Sequence, residues 1–218
     1  MNNNMKTVII FGVSAKLGTG YQLSQLIKQC HPKWRCIALV RDAAFAKQLA
    51  EQNIETHVGD ATDVELVKEI GKQAGSDATI ISTLGGESGN YIAQRNIIDC
   101  AEQVGIKQMV LVTSLGCGDS WSTLSLRAKQ AFGNAVREKS LAEVWLQTSS
   151  LNYVILRPGG LRDGEITNNG QCYFAQEVHG FIYRKELANI IIDKIANQQF
   201  DNRAYSVVDP SLTFNYQN

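Results

Sequence analysis

Seven short runs rich in β-branched and aromatic residues recur along the chain, each separated from the next by a stretch with apolar residues at helical spacing. The runs are KTVIIF (6–11), RCIALV (35–40), IETHVG (54–59), DATIIST (77–83), KQMVLVT (107–113), NYVILR (152–157) and AYSVVD (204–209). Several are continuously apolar, as suits strands buried on both faces of a parallel sheet. The intervening stretches read as helices from about Leu17 to before Pro32, then over 42–52, 63–73, 91–104, roughly 128–149 and 184–197. Leu17, Tyr21, Leu23, Leu26 and Ile27 form the expected inward stripe of the first, and Asp42 is the expected cap of the second. Such alternation predicts an α/β fold: a doubly wound parallel sheet with right-handed crossovers and helices on both faces. No linker divides the 218 residues, so 1–218 are expected to form one domain, with 1–5 as a flexible tail.

In such a sheet ligands bind beyond the carboxyl ends of the strands. The segments there are GVSAKLG, RD, GDAT, LGGESGN, SLGCGDS and PGGLRDG. Any crossover needs turn residues, but six small, polar edges in register point to a ligand. Gly12 is placed where a tight turn needs conformational freedom, and Gly18 where a helix packs closely on the first strand. The amides around Ser14 to Leu17 then face a pyrophosphate from the positive end of that helix. Ala15 stands where such a turn usually has its middle glycine, so its Cβ crowds the diphosphate. Lys16 is either a phosphate contact or an ordinary solvated lysine. Arg41, at the end of the second strand, suits a 2′-phosphate, whereas Asp42 is explained by capping; the expected cofactor is NADP(H) in preference to NAD(H).

FGVSAKLG, LVRD, VGDATD, STLGG, LVTSLG and LNYVILRPGGL, in this order from Lys6 to about Pro210, resemble the atypical short-chain dehydrogenase/reductase superfamily. The resemblance is to its small NAD(P)H-binding members, such as flavin reductase/biliverdin reductase B and the NmrA-like proteins. It implies a Rossmann-type domain with Asp60 and Ala61 at the adenine. It also implies that Thr83, Leu84 and Gly85 line the path to the nicotinamide ribose, and it puts Pro158 among the cofactor-binding residues. Many members use a Tyr-xxx-Lys pair, and aligning its lysine with Lys139 places Ala135 at the tyrosine position. Lys139 is then a ribose contact or a helix-surface lysine, and Ser114, at the family's serine position, orients a substrate oxygen or serves as a turn residue.

Two functions remain open. One is an NADPH-dependent reductase passing hydride to a planar conjugated acceptor of flavin, quinone or tetrapyrrole type, with the last proton from solvent. The other is a non-catalytic, NmrA-like dinucleotide sensor. Segments 115–127 and 159–183 are expected to cover the substrate, bringing Trp121, Tyr173, Phe174 and Phe181 to it. Cys117 faces the pocket or is buried and idle, and His31, His57 and His179 lack an evident carboxylate partner. Lys plus Arg equals Asp plus Glu at 21 each, which gives no footprint for nucleic acid or an anionic membrane. Five cysteines without CxxC spacing read as free thiols and not as a metal site. No apolar run is long enough for a membrane span and no signal core is evident, so a cytoplasmic monomer or homodimer with a small-molecule substrate is expected.

Overall fold

A computed structural model describes residues 5–14, 17–86 and 91–212. Strand β1 (Thr7–Phe11) lies between β2 (Arg35–Val40) and β4 (Thr79–Ser82), and β3 (Glu55–Val58) lies beyond β2. On the other side follow β5 (Gln108–Val112), β6 (Asn152–Pro158), β10 (Arg203–Val208) and β8 (Gln171–Phe174). The order is β3-β2-β1-β4-β5-β6-β10-β8, and every pairing is parallel except that of β10 with β8. The order reverses between β1 and β4, where a crevice opens at the carboxyl ends of the strands.

Helices cover both faces. Val8 and Ile10 of β1 pack with α1 (Thr19–Cys30), α2 (Ala43–Glu51) and α6 (Arg184–Ala196). Ile9 and Phe11 pack with α3 (Val64–Ala74), α4 (Tyr91–Val104) and α5 (Leu126–Gln147). This two-sided burial is why β1 is apolar at consecutive positions. The cap expected of Asp42 is present, its carboxylate accepting from Phe45 N at 2.7 Å. Among the described residues, no helix is long and apolar enough to cross a membrane.

The structure departs from the sequence reading in several places. Helix α1 begins at Thr19, and Leu17 lies before it, 59% exposed, outside the inward stripe. Gly18 is the N-cap and not a helix-interior residue. Helix α5 starts two residues earlier than expected, because Ser125 Oγ accepts from Ala128 N at 3.2 Å and caps it. The sheet is not wholly parallel, since β8 is an antiparallel edge. A separate parallel pair, β7 (Gly160–Arg162) and β9 (Phe181–Tyr183), forms beyond β6. Glu186, buried in the first turn of α6, ties down the connection after β7 by accepting from the amides of Thr167, Asn168 and Gly170.

Candidate active site

At the β1–β4 crevice, Gly12 adopts φ +100° and turns the chain sharply away from β1. A Cβ there would lie 2.6 Å from the Thr83 carbonyl carbon, so the two strand ends approach as only glycine allows. Thr83 seals the contact: its amide donates to Phe11 O at 2.8 Å, and its hydroxyl lies within reach of the Phe11 and Gly12 carbonyls. The close helix–strand packing expected of Gly18 belongs to Gly20, whose Cβ would lie 2.7 Å from both Gly12 O and Thr83 Oγ1.

This crevice opens into a cavity of about 350 Å³ that brings together Gly12, Ser14, Gly18, Arg41, Asp60, Ala61, Thr83, Leu84 and Gly85. Leu17 is not among its lining residues and borders a separate small depression near Asp163 and Lys185. Ala15 and Lys16 lie outside the described residues. Asp60 is engaged locally, accepting from the amide and hydroxyl of Thr62 at 2.9 and 2.8 Å. Those bonds, with a smaller contribution from the charge of Arg41, hold its carboxyl below the usual range.

A second cavity of about 890 Å³ continues from the first, the two sharing Gly86, Leu161 and Arg184. Ser114, Lys139 and Pro158 line it, and so does Ala135, one helical turn before Lys139. Lys139 Nζ donates to Thr113 O at 3.3 Å, and burial lowers the pKa of its ammonium. Behind this wall, Glu143 is 1% exposed. Its carboxylate accepts from Thr113 Oγ1 at 2.6 Å and from Arg157 Nε and Nη2 at 3.0 and 2.7 Å. One buried carboxylate on α5 thereby joins the ends of β5 and β6, next to Ser114 and Pro158.

Both expected covering segments reach the second cavity, through Leu115, Thr123 and Leu124 and through Gly159, Leu161, His179 and Phe181. The aromatic residues divide differently from expectation. Phe181 lines the cavity, with the Arg162 guanidinium 3.4 Å from its ring centroid. Tyr173 and Phe174 border another hollow, with Arg157 and Arg203, and Trp121 packs over Gly133 between Lys129 and Arg137. Phe132, which sequence reasoning missed, is on the cavity wall. Cys117 is fully buried, its Sγ 3.7 Å from Val136 O, and burial pushes its thiol up to about 11. His31 stacks on Trp34; His57, in β3, has Glu55 at 3.8 Å, and His179, which lines the cavity, has Glu177 at 3.0 Å, so two of the three histidines do have a carboxylate close in sequence.

The cleft can take an elongated ligand along the switch point, its anionic end at the first turn and its other end beside Ser114 and Lys139. Gly12 and Gly20 let β1, α1 and the end of β4 close up beneath a crevice lined by Ser14, Arg41 and Asp60, which fits a nicotinamide dinucleotide. A family model described as NAD(P)H-binding matches residues 18–198. The chain is similar to ChuY of Escherichia coli O157:H7, described as an anaerobillin reductase, with 46% identity and a TM-score of 0.91 over 95% of this chain and 99% of that one. ChuY of the E. coli CFT073 strain is 44% identical, with a TM-score of 0.86 over 96% of this chain and all of that one. Sanguinarine reductase of Eschscholzia californica is 30% identical over 127 residues, 56% of this chain and 45% of that enzyme, so the match spans less than half of the plant protein. The chain therefore belongs to the NAD(P)H-binding family and carries its fold in the Rossmann form of the atypical short-chain dehydrogenases/reductases.

Proposed function

We propose that this chain is an NADPH-dependent reductase of a planar conjugated acceptor bound in the larger half of the cleft. The observation that carries the reading is the wall of that half, which Phe132 and Phe181 share with Ser114, Lys139 and Ala135; the family resemblance puts Ala135 at the position of a tyrosine acid. A flat, delocalised acceptor suits such walls, and its reduction does not need the tyrosine that carbonyl reduction uses. The likeness to ChuY supports the same class of acceptor.

When bound, the reduced nicotinamide supplies hydride. Arg41 holds the 2′-phosphate, since the neighbouring Asp42 carboxylate is engaged by Phe45 N and is not offered to a ribose. The first turn at Ser14 and the N-terminus of α1, capped by Gly18, hold the pyrophosphate. Lys139, oriented by Thr113 O, holds a ribose hydroxyl, and Ser114 orients a polar atom of the acceptor. Stopped-flow mixing of the protein and NADPH with biliverdin, FMN or menadione tests the reading. Oxidation of NADPH by at least one of them is expected; tight NADPH binding without oxidation by any would favour a dinucleotide sensor.

A further inference from the structure

Three side chains in the acceptor half can carry positive charge, Lys139, Arg184 and His179, and among the described residues no Asp or Glu lines it. Two of the three are committed: Lys139 to Thr113 O, and Arg184 to Asp163 at 2.7 Å. His179 is held differently. Its Nε2 lies 3.0 Å from Oε1 of Glu177, and its Nδ1 makes no hydrogen bond among the described residues. With Nε2–H donating to the carboxylate, the charged ring keeps Nδ1–H to give away.

Backbone packing delivers this ring to the cleft. Gly160 N donates to Gly180 O at 2.9 Å, and a Cβ on Gly159 would lie 2.4 Å from that same oxygen. Only glycine at 159 lets the segment carrying His179 approach the end of β6 so closely. The α5 wall offers Ala135 and no tyrosine among the described lining residues, so a proton donor must come from elsewhere on the cleft surface or from solvent.

We propose that His179 is the acid that completes the reduction and that Glu177 is its positioning residue; the proposal rests on the reductase reading. An electrophilic atom of the acceptor, a carbon or a flavin nitrogen, receives a hydride, and two electrons with it, as a C–H bond of the reduced nicotinamide breaks. A C–H or N–H bond forms as a π bond opens, and the displaced pair settles on a conjugated nitrogen or oxygen. The imidazolium Nδ1–H protonates that atom, and the neutral ring takes a proton back from water. Acceptor and dinucleotide exchange two electrons, and one proton is consumed. The charged groups that share the space with His179 are Glu177 on its own segment, Lys139 from α5 and Arg184 from the start of α6.

The test is single-turnover NADPH oxidation across pH, using whichever of biliverdin, FMN and menadione reacts fastest, with wild type, His179→Gln and Glu177→Gln. Because the protonated ring is the active form, the wild-type rate should fall about tenfold per pH unit once imidazole loses its proton. His179→Gln should react about 100-fold more slowly at neutral pH, lose that limb, keep its KM within a few-fold and regain rate with added imidazole. Glu177→Gln should keep the limb and slow the reaction at every pH, because the ring loses the carboxylate that positions Nδ1. A readout without turnover is the ¹⁵N signal of His179, identified by its loss in His179→Gln, which should move when the same acceptor is added with NADP⁺. A His179→Gln rate and pH profile matching wild type, or a His179 signal unmoved at saturating acceptor, overturns the proposal and leaves solvent as the donor. If wild type oxidises NADPH with none of the three acceptors, the reductase reading fails and this proposal with it.

Discussion

The carboxylate of Glu143 and the guanidinium of Arg157 form a two-pronged ion pair, with Nε and Nη2 at 3.0 and 2.7 Å from its two oxygens, in the interior between α5 and β6. Breaking such a pair costs about 3–5 kcal/mol, and without Glu143 the buried Arg157 keeps only the exposed carboxylate of Asp119. Glu143→Ala should lower the melting temperature by about 10 °C, at the ~2–4 °C per kcal/mol usual for a domain of this size. Replacing both partners, Glu143→Leu with Arg157→Met, should recover much of that loss. Calorimetry of the two variants checks both.

Arg41 lines the cofactor cavity and bears the 2′-phosphate selectivity in this account. Arg41→Ala should weaken NADPH binding by about 1.5–3 kcal/mol, roughly 10- to 150-fold, and leave NADH binding nearly unchanged. Fluorescence titration with both nucleotides measures the difference; equal wild-type affinities would remove the basis for preferring NADP(H).

Gly20 shows how tightly the first turn is assembled. Its missing Cβ would meet Gly12 O and Thr83 Oγ1 at 2.7 Å, and the former is backbone that cannot rotate aside. Gly20→Ala should therefore push α1 away from the β1–β4 crevice, lower stability and weaken NADPH binding together. Gly85→Ala meets nothing closer than Thr83 O at 3.9 Å and should leave stability unchanged. Thermal melts and NADPH titrations of the pair separate these outcomes.

Arg157 also donates to Asp119, and this hydrogen bond is the main reason the Asp119 carboxyl is held below its usual range. A depressed carboxyl pKa gives stability that is complete above the unfolded value of about 3.9 and is lost as pH falls through the folded value. Wild type should thus lose stability over acid pH slightly more steeply than Asp119→Asn. The difference should stay below about 1 kcal/mol, because the Asp119 side chain is 84% exposed. Denaturant melts between neutral and acid pH measure it.

The central strands were legible because Val8, Ile9, Ile10 and Phe11 are each at most 1% exposed, and a strand buried on both faces writes an unbroken apolar run. Strands β7, β8 and β9 have three or four residues with mostly partial or full exposure, too short to show a period. Tyr173 and Phe174 were read as acceptor walls, but pairing of β8 with β10 carries them to the far hollow, a tertiary choice that no local pattern records. Phe132 is 46% exposed on α5 and looks like any surface aromatic until the fold sets it on the cavity wall. The His179–Glu177 pair left only a spacing of two residues, which Glu55 and His57 on β3 share, so the sequence does not single it out.

The proposed function stands or falls on hydride transfer from the dinucleotide to the acceptor, and NADPH deuterated at the transferring C4 position reports it. With biliverdin as acceptor, analysed under anaerobic single-turnover conditions by mass spectrometry and NMR, one deuteron should be bound to carbon in the reduced product; with FMN or menadione, whose label on nitrogen or oxygen exchanges into water, the expected signature is a slower reaction than with unlabelled NADPH. Reduced product that never carries the label and forms at an isotope-independent rate, or no product from any acceptor while NADPH binds tightly, would contradict it.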